Sequence, residues 1–121
     1  MNQATLAYGK VANQVKTPRQ MEADKLLQAA SQLQAVRDRW NDEQSGLEAA
    51  LHNNRMLWSI LMTSVTRPDN PLPAALRQNV ANIGIFVFKQ TLETMQEPGP
   101  EKLVPLISIN RDLASGLLGR A

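Results

Sequence analysis

At 121 residues and 13.4 kDa the chain has the length of one domain, with no room for a second, which excludes most multi-part enzymes. Hydrophobic residues make up 43% of it and charged residues 20%, the balance of a packed globular protein and too apolar for a disordered one. Thirteen Lys and Arg against 11 Asp and Glu leave a net charge of +2, which permits nucleic-acid binding without demanding it, and zero cysteines exclude disulfides, thiolate metal sites and thiol nucleophiles.

The stretch from Met1 to Lys10 lacks the charged start and apolar run of a secretory signal, which together with the absence of cysteine leads us to expect a cytoplasmic protein. The longest apolar stretches, 56–65 and 80–88, fall short of the roughly 20 residues that span a bilayer, so no membrane partner is expected. Periodicity is helical throughout and no strand pattern competes, so the fold class expected is all-α: a small bundle forming a single domain over 1–121.

The first element is a short arm over 1–16. Ala4, Tyr8, Val11 and Val15 share one helical face, and Gly9 among them weakens a helix by about 1 kcal/mol relative to Ala. Thr17, Pro18 and Gln20 then read as an N-cap, a proline at the first helical position and a capping-box partner, so a helix starts at Pro18. Beyond it Leu26, Leu33, Trp40, Leu47, Asn54 and Leu61 recur every seven residues, with Ala30, Leu51, Trp58 and Val65 four positions on. One unbroken phase favours one long helix over 18–66, straight or bent, about 70 Å long at 1.5 Å per residue. The polar cluster 41–46, ending in Gly46, argues instead for a break there and a hairpin. The Pro-rich loop 67–73 follows, then a helix over 73–96 that Glu97-Pro98-Gly99-Pro100 ends. A last helix covers 101–118, with Leu103, Ile107, Asn110, Leu113 and Leu117 near one face; Pro105 is awkward inside it and moves its regular part toward Lys102.

The segment 73–96 carries two apolar seams. Leu76, Val80, Ile83 and Val87 form one; Ala81, Ile85, Phe88, Leu92 and Met95 form the other, more than about 100° away at 100° per residue. A helix apolar on two sides must be covered twice, either by neighbours on both flanks or by a partner's amphipathic helix on one. Ile85, Phe88, Leu92 and Met95 are the candidate partner-binding residues, and Gly84 and Ala81 allow a neighbouring helix to come close.

Other residues point to structure. Asn54, in a heptad position otherwise held by Leu and Trp, reads as a register-setting buried amide, Trp40 and Trp58 as core anchors, and His52 as a surface histidine. The run Arg37-Asp38-Arg39 with Asp42 and Glu43 reads as ion pairs on a wet helix face. There is no Gly-rich phosphate loop, no nucleophile elbow and no metal-spaced carboxylate set, so no catalytic residue, cofactor or metal is expected and an enzyme is not.

Several segments nevertheless combine into one pattern: Ala7-Tyr8-Gly9-Lys10, Thr17-Pro18-Arg19-Gln20-Met21-Glu22-Ala23, Leu33-Gln34-Ala35-Val36-Arg37-Asp38 with Trp40, Asn54-Arg55 with Leu57-Trp58, Asn70-Pro71-Leu72-Pro73, Arg77-Gln78-Asn79-Val80-Ala81-Asn82-Ile83-Gly84 with Phe86, Ile109-Asn110-Arg111 and Gly116-Leu117. In this order they resemble the alphaproteobacterial flagellar biosynthesis regulators of the FlaF family over nearly the whole chain; Gly46 inside the long helix and Pro105 near the last one depart from the family's pattern and bear on the helix boundaries, not on the resemblance. The resemblance implies a non-enzymatic cytoplasmic protein needed for flagellin production and filament assembly, acting with an FlbT-type flagellar regulator and engaging flagellin, whose termini are amphipathic helices, in the manner of a secretion chaperone. An adaptor that couples flagellin synthesis to secretion is the function expected. The competing expectation is an RNA-binding regulator of flagellin message acting through Lys10, Lys16, Arg19, Arg37 and Arg39, although nucleic acid is not the expected direct partner. A homo-oligomer through the long heptad face stays open.

Overall fold

In the computed structural model, which describes residues 15–41 and 46–119, a capping box starts the first helix where the sequence places it. The Thr17 hydroxyl accepts from the Gln20 amide at 3.1 Å, the Gln20 side chain accepts from the Thr17 amide at 2.9 Å, and Pro18 takes the first helical position. Helix α1 then runs Pro18–Asp38, α2 Leu47–Val65 and α3 Ala74–Gln96; a 3-10 helix over Pro100–Leu103 leads into α4, Val104–Leu117. The described residues contain no strand, and the bundle is all-α. The arm expected over 1–16 lies outside the described residues except for Val15 and Lys16, which are not helical.

The single helix expected over 18–66 is two helices. α1 ends at Asp38, α2 starts at Leu47, and they pack on each other, with the Asn53 amide donating to Gln32 Oε1 at 3.1 Å across the pair. A heptad stripe shows that a helix buries one face, whichever way the chain runs. Folded back, Leu26, Ala30 and Leu33 of α1 and Leu47, Leu51, Trp58 and Leu61 of α2 enter one core, whereas a straight rod would leave both stripes waiting for another molecule. Trp40, just past the end of α1, is half-buried against this core.

α3 starts at Ala74 with Pro73 as its N-cap, within a residue of expectation. The loop before it is tied down: Asn70 Nδ2 donates to the Ser64 carbonyl at 3.1 Å, Asn70 Oδ1 accepts from the Leu72 amide at 2.9 Å, and Arg77 Nε donates to the Leu72 carbonyl at 3.1 Å. The last helix begins later than expected, at Val104 and not at residue 101. Pro105 has no amide hydrogen and is tolerated only in a first turn, so regular helix starts just before it and a 3-10 turn covers the residues ahead. Gly119, at φ 71°, turns the chain out of α4 through the left-handed region.

α1 makes its broadest contact with α4, α2 packs between α1 and α3, and α3 touches α4 only slightly. The centre is held by a polar chain as well as by apolar packing. Fully buried Trp58 donates through Nε1 to Asn110 Oδ1 at 2.9 Å; Asn110 Nδ2 donates to Asn54 Oδ1 at 2.7 Å and to the Leu26 carbonyl at 3.3 Å. Three helices are joined at one point, in a medium where losing a partner is costly. The Asn54 amide nitrogen itself has no partner among the described residues.

Candidate docking groove

α3 reaches the bundle through its first seam. Val80 and Val87 are buried, and Gly84 lies so close to α2 that a β-carbon would run into the Met62 thioether. Thr91 and Thr94 continue the buried face, each hydroxyl donating one turn back, to the Val87 and Gln90 carbonyls at 2.7 Å, so neither leaves an unpaired group inside. The close approach seats the inner side of α3 and leaves its second seam on the outside.

That seam holds the four candidate residues. Ile85, Leu92 and Met95 are 50%, 56% and 50% exposed, and Phe88 is half-buried with its ring against the core. Opposite them, α2 presents Met56, 48% exposed. Between the two helices runs a groove of about 400 Å³ lined by Arg55, Met56, Ser59, Phe88, Leu92 and Met95. Past Met95 it opens into a broader depression of about 510 Å³ beside Glu48, Leu51, His52 and Arg55. Ile85 lies on the same stripe one turn before Phe88 and extends it beyond the groove. Large apolar side chains half out of water, in register along one helix and rimmed by Glu48, His52 and Arg55, are the surface that an amphipathic helix with anchors at i, i+3, i+4 and i+7 fits.

Met56 was not among the sequence candidates. Read as part of one long rod, α2 had no neighbour to make a groove with; the hairpin supplies one. Asn54 does lie in the core, and its link to Asn110 follows from the fold, although Asn110 already stood on the apolar face of its own helix in the sequence. His52 is exposed, as expected. Among the described residues no three His, Cys, Asp or Glu side chains come together to hold a metal ion, and no helix is long and apolar enough to cross a membrane.

The basic residues of the RNA-binding expectation do not form one stripe among the described residues. Lys16 pairs with Asp24, Arg19 lines a different, apolar cleft, and Arg37 lies at the far end of α1, about 27 Å from Arg19 at 1.5 Å per residue. Lys10 lies outside the described residues, as do Asp42 and Glu43, the carboxylates expected beside Arg37 and Arg39. Asp38 accepts from Gln34 Nε2 at 2.7 Å.

The family model described as flagellar protein FlaF matches residues 4–117. No curated protein and no solved structure matches the chain significantly.

Proposed function

The chain belongs to the FlaF family of flagellar proteins, and from that premise we propose that it binds flagellin in the groove between α2 and α3, as an adaptor or chaperone that couples flagellin synthesis to secretion and filament assembly. The observation that carries the proposal is the row of Ile85, Leu92 and Met95, each at least 50% exposed beside a groove floored by Phe88. An amphipathic flagellin helix would set its apolar face on this row and its polar face outward, with Arg55 and Glu48 near its edges. Holding such a helix keeps it from self-association before export, which is a chaperone's task; releasing it to the export path frees the same groove to report how much flagellin remains. An FlbT-type regulator would read the loaded or empty state.

The test is a titration of purified flagellin against the full chain and its Leu92→Glu variant. Glutamate keeps helix propensity and places a charge where an apolar anchor sat, so affinity should fall at least about tenfold, or 1.4 kcal/mol, with the melting temperature unchanged. Equal affinity of the two proteins would place flagellin elsewhere or remove it as a partner.

A further inference from the structure

The groove between α2 and α3 is edged with sulfur. Of the four methionines among the described residues, Met56 of α2 and Met95 of α3 line it, both half out of water, and Met95 also lines the depression beyond it. The other two are placed differently. Met62 is half-buried, its thioether packed against Gly84 where α3 comes close to α2, and Met21, as exposed as the groove pair, stands on α1 and lines neither hollow. At the other end of the α2–α3 pair the bundle has a second concavity, an apolar cleft of about 430 Å³ whose lining includes Leu61, Leu76 and Leu117, and no methionine among the described residues lines that one.

A thioether fills space like the Ile, Leu and Phe side chains around it, but its sulfur can give up two electrons. The chain has no cysteine to react first, so an oxidant meets these sulfurs directly. With hydrogen peroxide the sulfur lone pair attacks one peroxide oxygen. An S–O bond forms as the O–O bond breaks, the departing hydroxide takes the proton left on the transferred oxygen and leaves as water, and the methionine has become its sulfoxide. The apolar side chain now carries a strong hydrogen-bond acceptor. Beneath the apolar face of a docked helix that oxygen finds no donor, and burying a polar group without a partner is costly. Because Met56 and Met95 stand on facing helices, the pair turns both walls of the groove polar at once.

Given flagellin in the α2–α3 groove, a reading on which this one rests, we infer that Met56 and Met95 are oxidation sites through which peroxide closes the groove, and that reduction of the sulfoxides reopens it.

For the test, peroxide is applied to the full chain alone and removed before flagellin is added. Peptide mass spectrometry should show Met56 and Met95 oxidised at least about tenfold faster than Met62. Affinity for flagellin should fall at least about tenfold with the melting temperature unchanged, and methionine sulfoxide reductases should restore it. Met21→Leu should respond to peroxide as the wild type does. In the double variant Met56→Leu, Met95→Leu, affinity should be the same before and after peroxide, whatever its starting value. Oxidation of Met62 as fast as the groove pair, affinity that survives oxidation of Met56 and Met95, or an equal loss in the double variant would overturn the inference and leave flagellin in the groove. Failure of the unoxidised chain to bind flagellin would overturn the groove reading, and the switch with it.

Discussion

The centre of the bundle and its outer helix solve the same burial problem differently. At the junction of α1, α2 and α4 Trp58, Leu26, Leu33, Leu51 and Leu106 are fully buried, and the polar groups are turned on one another, Trp58 to Asn110 and Asn110 to Asn54 and the Leu26 carbonyl, with the Asn54 amide nitrogen left without a partner among the described residues. α3 closes one seam on α2 through Gly84 and leaves the other in water. The residues available to both regions are alike, Leu, Ile, Val, Met and aromatics, so composition does not separate core from docking surface; what separates them is whether the fold brings a neighbour to that side. Stability is concentrated in the first region and binding in the second, and substitutions in the two should therefore move different observables.

The sharpest contrast comes from Trp58→Ala, which empties the fully buried centre and should cost about 3–5 kcal/mol, a large part of the roughly 5–15 kcal/mol that holds a domain of this kind. Chemical denaturation with tryptophan and circular-dichroism readouts would show it as a large fall in midpoint; a small one would mean that the centre is not what holds the bundle. Asn110→Ala should come next, at about 3 kcal/mol, because it strands both the Trp58 N–H and the Asn54 carbonyl oxygen inside. On α3 the comparison can be made within one helix. Val87→Ala, on the closed seam, should lower stability by about 1.5–2.5 kcal/mol and leave flagellin affinity alone, while Met95→Glu, on the open seam, should change stability by no more than about 0.5 kcal/mol and reduce affinity. If both lowered stability alike, the two seams would not be distinct. Below the Val87 effect, Thr17→Ala removes the capping box and should cost about 1 kcal/mol, seen as a modest loss of melting temperature. Asp24→Asn, which breaks the exposed pair with Lys16, should cost under about 0.5 kcal/mol, and salt should mask what little there is.

Much of this was legible in the sequence because it is local. Thr17, Pro18 and Gln20 announced a helix start, three prolines within residues 66–73 announced the main loop, and the two phases of α3 announced a helix with a spare side. What was misread depends on chain direction. The seven-residue recurrence from Leu26 to Leu61 is the same for a rod and for a hairpin, and only the polar run ending at Gly46 hinted that the chain turns back. Pro105 showed that regular helix could not start far ahead of it, but placing the start at Val104 needed the 3-10 turn that packs Leu103 into the core. Met56 and the cleft beside Leu76 were out of reach, since each comes from two segments far apart in sequence that the fold sets side by side.

The five methionines allow the most direct test that the open seam is the docking surface. With methyl-labelled methionine in the full chain, addition of flagellin should shift or broaden Met56 and Met95, which face the groove, and leave Met62, under Gly84, and Met21, on α1, unchanged. Binding that left Met56 and Met95 unmoved, or that moved Met21 instead, would contradict the assignment of this face.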